Sequence, residues 1–248
     1  MERSKPIPLS VRTRKITRAE LKQIPTPAGS ATWQPVGYYE LIAALEKVMT
    51  DHNVNLEREE ITIQHNGNRL YAIIDLQSGY GSRLPKAKTV SCCMGVLSSL
   101  NKRVGVQILT GLRVLSNDNL IFSTDHIGVR KRYTKGINLQ EVIGSSFDDF
   151  IENYKILLED MDRMRRSTIS ESQARLIIFE VFYARLFPLK WFHSVTKTYF
   201  STEIKEFKPG NLWSLMNAIA LASEKLRPDR KFQSLKQLSK IFHKLSKE

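Results

Sequence analysis

The residues that could do chemistry are few, and their spacing is poor. The five histidines, His52, His65, His126, His193 and His243, fall in no metal-ligand spacing, and none pairs with a cysteine in a nucleophile pattern. Asp125-His126 could orient an imidazole as a base, but on a loop such a pair is more often a local hydrogen bond. Asp148 and Asp149, and Glu159 with Asp160 and Asp162, lie on a helical pattern, where a solvated face or a favourable N-terminal charge explains them without a metal. The two cysteines, Cys92 and Cys93, are adjacent; strand neighbours point to opposite faces, so they read as buried structural thiols. No phosphate loop, dinucleotide fingerprint or nucleophile elbow is present. The expectation is a protein without catalytic residues, metal or cofactor.

Charge is the stronger signal. Lys+Arg 38 against Asp+Glu 25 leaves +13, which points to a polyanionic partner. The excess is segregated: residues 1–36, 101–136 and 225–248 carry +5, +5 and +6, and the rest of the chain is acidic on balance. The central stretch supplies the candidate binding set Lys102, Arg103, Arg113, Arg130, Lys131, Arg132 and Lys135, with Tyr133 as a ring that could stack on a base. A second basic surface is expected on the last helix, where Lys236, Lys240, Lys244 and Lys247 share an arc. The bland alternative is that Arg130 to Arg132 alternate in and out of a strand and pair with the acidic helix at 148–162.

The elements that must position these groups can be read in order. Pro6, Pro8, Pro25, Pro27 and Pro35 make residues 1–36 an extended basic arm, with a capping box at Thr17-Arg-Ala-Glu20 opening a short helix through Ile24. Leu41, Leu45 and Val48 give a helix over 36–51. Alternating runs around Asn66-Gly67 predict a hairpin, and Val90 to Val96 a further strand. Val104 to Ile108 is expected to turn at Thr110-Gly111 and return over 112–115, ahead of a structural corner at Asn117-Asp118-Asn119. From residue 139 the spacing is helical: through Met164, from a capping box at Ser170-Glu-Ser-Gln173, over 212–226, and from Ser234 on. The fold class is therefore α+β: a meandering antiparallel sheet with packed helices over 37–138, then a helical part over 139–248. No apolar run reaches the roughly 20 residues of a membrane span, and no signal core opens the chain, so a cytoplasmic protein is expected.

Several short pieces resemble a prokaryotic family carried by phages and plasmids, catalogued as domain of unknown function nine-three-two. They are Pro35 and the helix after it, Ser99-Leu-Asn-Lys102, Gly111 with Val114, Asn117-Asp118-Asn119-Leu120 with Phe122-Ser123, Arg130-Lys131-Arg132-Tyr133-Thr134, and Leu212-Trp213 through Asn217-Ala218. The chain departs from that family with Tyr38-Tyr39 where a histidine is usual, Ser116-Asn117 where a cysteine is usual, and Arg132-Tyr133-Thr134 for Lys-His-Thr. The resemblance implies a mobile-element setting in a bacterial host and supplies no catalytic residues. Together these readings favour a nucleic-acid-binding accessory protein, DNA before RNA and single strands in particular, with room for a homo-oligomer. The second reading is a protein-interaction factor that turns its basic patch to an acidic host or phage protein and uses Trp191, Phe192, Tyr199 and Phe200 as anchors.

Overall fold

A computed structural model describes residues 13–201, 207–208 and 210–247, with the side chains of 123–130 outside that description. Its centre is a six-stranded antiparallel sheet in which each strand pairs with its neighbour in sequence. The strands are β1 (Thr13–Ile16), β2 (Leu56–Gln64), β3 (Arg69–Leu76), β4 (Val90–Ser99), β5 (Val106–Val114) and β6 (Leu120–Lys131). The helices are α1 (Arg18–Leu21), α2 (Tyr38–Asp51), α3 (Leu139–Gly144), α4 (Phe147–Arg166), α5 (Glu171–Tyr183), α6 (Phe192–Phe200), α7 (Leu212–Ala220) and α8 (Pro228–Leu245). The expected α+β meander followed by helices is the fold observed.

Local chemistry explains most of the boundaries. The capping box at Thr17 forms, with Glu20 Oε2 accepting from Thr17 N–H at 2.8 Å, but α1 stops at Leu21. Ser170 and Gln173 cap α5 reciprocally, at 2.8 and 3.2 Å. The hairpin turn is longer than a two-residue Asn-Gly turn, because Gln64 pairs with Arg69 and both His65 and Asn66 take positive φ. The basic start of the chain is not all arm. Thr13–Ile16 lies free of proline and adds an edge strand to β2, while residues 1–12 are outside the described residues.

Two expectations fail for one physical reason. Thr110-Gly111 is not a turn: β5 continues through it, with Gly111 paired to Cys93 and Phe122 and an irregularity in the β6 pairing between Leu109 and Gly111. A Cβ at Gly111 would sit 2.7 Å from Phe122 Cδ1, and one at Gly95 would sit 2.5 Å from Phe232 Cε1. The two glycines thus open a slot for Phe122, on which Phe232 of α8 stacks with centroids 4.8 Å apart. That docking is also why α8 begins at Pro228, with proline at its first turn, rather than at Ser234. Buried apolar side chains from Ile16 to Phe242 form one contiguous core. Cys92 and Cys93 are both buried and unbonded within it, and burial pushes both thiols up.

Candidate nucleic-acid interface

The site is built at one end of the sheet, where the β4–β5 corner meets the segment that follows β6. Ser99 makes the corner. Its hydroxyl donates to the Val104 carbonyl at 2.7 Å and accepts from Val104 N–H at 2.8 Å, closing residues 100–103 into a tight loop. Lys102 sits at the tip with φ 64°, and Arg103 follows, its N–H held by Asn101 Oδ1 at 3.3 Å. Gly105 then lets β5 pass beneath the chain leaving β6: a Cβ there would meet the Lys131 carbonyl oxygen at 2.0 Å. The register pairs Val106 with Lys131. The corner and the Lys131–Lys135 segment are therefore neighbours by construction.

Tyr133 fixes the second half of the site from inside. It is buried, and its hydroxyl shares a hydrogen bond with that of Ser98 at 2.5 Å; burial pushes the phenol up to about 12. The strap over 22–37 closes the arrangement from outside, with Trp33 bridging Thr134 and Gln34 N–H donating to the Tyr133 carbonyl at 3.3 Å. The Trp33 ring is half-buried, and Lys102 Nζ stands 4.8 Å from its centroid. Lys102, Arg103, Lys131, Arg132 and Lys135 are all exposed.

These five cations come from two segments that the fold makes neighbours, and among the described residues they stand without acidic company. Several basic residues elsewhere are neutralised: Arg14 by Glu20 at 2.7 Å, Lys15 by Glu60 at 3.0 Å, Arg18 by Glu46 and Glu59 at 2.6 and 2.7 Å. The acidic helix spends its carboxylates away from the corner, Asp148 on Arg83 at 2.8 Å and Asp160 on Arg163 and His243. Among the described residues, no carboxylate pairs with Lys102, Arg103, Lys131, Arg132 or Lys135. Exposed like charges gathered without counterions raise the local potential and attract an anion.

Two residues of the expected set do not belong to it. Arg113 lies seven residues along β5 from the corner, roughly 24 Å at about 3.4 Å per residue. It is buried, its guanidinium donating to Asp75 at 2.7 Å, with Glu60 at 3.5 Å and Asp118 at 3.6 Å. Tyr133 cannot stack on a base while its ring is a core peg. The side chains of Arg130, Asp125 and His126 lie outside the described residues. Trp33 was missed, although a lone tryptophan in a proline-rich strap, next to Gln34-Pro35, was a signal of an aromatic held near the surface.

The other singled-out residues sit apart from the corner. On α8, Lys240 and Lys244 are exposed and Lys236 is half-buried, whereas Lys247, expected on the same helix, is exposed just past its end at Leu245. That helix is anchored by Phe232 on Phe122 and by His243 on Asp160 at 2.6 Å. Asn117, Asp118 and Asn119 do form a corner: Asn117 Oδ1 accepts from Asn119 N–H at 3.1 Å, and the buried Asn119 amide donates to the Asn217 carbonyl at 2.8 Å. Asp118, with φ 55°, holds Arg58 at 3.2 Å and so has a structural partner. Among the described residues no group of three metal-ligating side chains comes together, and no helix is long and apolar enough to cross a membrane. No protein-family model, curated protein or solved structure matches the chain. The resemblance to the phage- and plasmid-borne family therefore rests on its short motifs alone.

Proposed function

We propose that this protein binds the phosphate backbone of nucleic acid through Lys102, Arg103, Lys131, Arg132 and Lys135, with Trp33 as the ring on which an unpaired base stacks. The observation that carries the reading is the set of five exposed cations with no carboxylate partner among the described residues. Its backbone is held by the Ser99 and Tyr133 hydrogen bonds, so little ordering is required on binding. Contacts of this kind position a strand and read little sequence. The single aromatic beside them favours single-stranded DNA or RNA over duplex. On this reading the protein is an accessory factor and not an enzyme, and the short motifs that resemble the phage- and plasmid-borne family support a mobile-element setting.

Fluorescence anisotropy with labelled single-stranded DNA, duplex DNA and RNA at low salt tests the reading. Wild type is expected to bind, and a variant with all five cations changed to glutamine is expected to lose most of that affinity while keeping its circular-dichroism spectrum. Wild-type binding that survives the five changes, or no binding at all, would overturn it.

A further inference from the structure

A second surface, on the helical side, has the opposite chemistry. Leu176, Phe179 and Tyr183 recur at helical spacing along the outer face of α5, exposed by 58, 55 and 80 %, and Leu189 beyond the helix is exposed by 75 %. Large apolar residues exposed side by side are uncommon on a monomer and mark a place where something docks. They border a cleft of about 970 Å³ whose lining includes Phe182, Phe187, Phe192, Arg185 and Arg230. The walls are firmly held. Phe179 stacks on Tyr183 at 5.8 Å, Phe182 meets Phe192 edge-on at 5.4 Å, and the Ser234 hydroxyl of α8 donates to the Leu186 carbonyl at 2.6 Å.

The charges on the rim say what fits. The two charged residues lining the cleft are both arginines, and neither Arg185 nor Arg230 has a carboxylate partner among the described residues. Arg185 sits just past the end of α5 with φ 57°, a left-handed position that glycine ordinarily fills. A guanidinium is thus carried at the cleft's lip on a backbone conformation that disfavours it. We infer that the cleft takes an amphipathic helical segment of another protein, its apolar face on Phe179, Tyr183 and Leu189 and its acidic residues against Arg185 and Arg230. A second copy of this chain fits poorly, since it would bring like arginines together in a molecule already at +13. The apolar stripe continues up α5 to Leu176, beyond the cleft, which suits an elongated occupant better than a small molecule.

The test is selection of random displayed peptides of about sixteen residues, roughly four helical turns, on the full-length protein, counter-selected against Phe179→Glu/Tyr183→Glu. The exposed sites tolerate those changes without loss of fold, which circular dichroism checks. Recovered peptides should carry apolar residues at helical spacing beside Asp or Glu. They should bind wild type and the five-cation corner variant alike, and lose about tenfold or more on Phe179→Glu/Tyr183→Glu. Arg185→Asn/Arg230→Gln, in which asparagine suits the left-handed position, should weaken the same peptides. No enrichment over the counter-selection, peptides without acidic residues, or binding that fails only in the corner variant would each overturn the inference. So would a dimer in sedimentation that dissociates on Phe179→Glu/Tyr183→Glu, because the occupant would then be a second copy.

Discussion

Arg113 shows how one side chain's environment decides its role. It stands opposite Leu120 in the register, and its guanidinium is 6 % exposed against an Asp75 side chain that is 5 % exposed. Asp75 also accepts from Arg58 at 2.7 Å, so one buried carboxylate serves two arginines. Removing it takes away the buried partner and leaves Arg113 only its longer contacts to Glu60 at 3.5 Å and Asp118 at 3.6 Å; breaking a buried pair in this way typically costs about 3–5 kcal/mol. Asp75→Ala is expected to lower unfolding free energy by that order in urea denaturation, and Asp75→Ala/Arg113→Met to recover much of the loss. A double variant no better than the single one would show that the pair is not the cause. Glu60 adds a pH dependence. Burial raises its carboxyl, but the Lys15 hydrogen bond and the charges of Lys15, Arg113 and Arg58 outweigh this and hold it below its usual range. A carboxyl lowered by folding stabilises above its unfolded value of about 4.3 and loses that contribution as pH falls through its folded value. Glu60→Gln should therefore lower the melting temperature at neutral pH, with the gap to wild type closing in acid; a gap independent of pH would contradict it. None of this was legible in residue types alone, since a strand arginine reads the same whether it faces solvent or Asp75.

At the scale of elements, periodicity and capping chemistry served well where a segment answers to its own sequence. The helices over 38–51, 147–166 and 171–183 and the meander of strands follow from apolar spacing and from the Thr17 and Ser170 boxes. Periodicity failed where a distant element decides. Gly111 reads as a turn signal, yet it is a hole left in β5 for Phe122, and Gly95 is its counterpart in β4 beneath Phe232. Gly95→Ala is expected to destabilise by about 1–3 kcal/mol through overpacking, and Phe232→Ala by about 3–5 kcal/mol through the cavity it leaves. Because the two groups occupy one space, the alanine at 95 should cost less once Phe232 is gone, the remainder coming from its 2.8 Å approach to Phe122, a coupling that a double-mutant cycle in urea measures directly. Additive losses would mean that the glycine serves something other than this stack. The corner at Ser99 to Gly105 was legible as a motif, but its closeness to Lys131 depends on the β5–β6 register, which spacing does not specify.

For the whole molecule, a net charge of +13 suits a polyanionic partner, the one proposed above, without saying where it would land. Ion pairs take up Arg14, Lys15 and Arg18 near the start of the chain, whereas the corner gathers cations from two segments with no carboxylate partner among the described residues. On the proposed reading Trp33 would give that corner a preference between nucleic-acid forms: Trp33→Ala should cost about 1–3 kcal/mol on single strands, the worth of a stacked base, and little on duplex. Equal losses on both would remove the stacking role. The central claim is that the five cations meet phosphates, and the dependence of affinity on salt reads this most directly. Each phosphate neutralised on a single strand contributes about 0.7 to the slope of log affinity against log salt. Changing Lys102, Arg103, Lys131, Arg132 and Lys135 to glutamine should therefore flatten that slope by about 3 to 4, whereas the same number of glutamines placed at Arg14, Lys15, Arg18, Arg83 and Arg175 should leave it nearly unchanged. An equal flattening by both sets would mean that net charge, and not this corner, holds the strand.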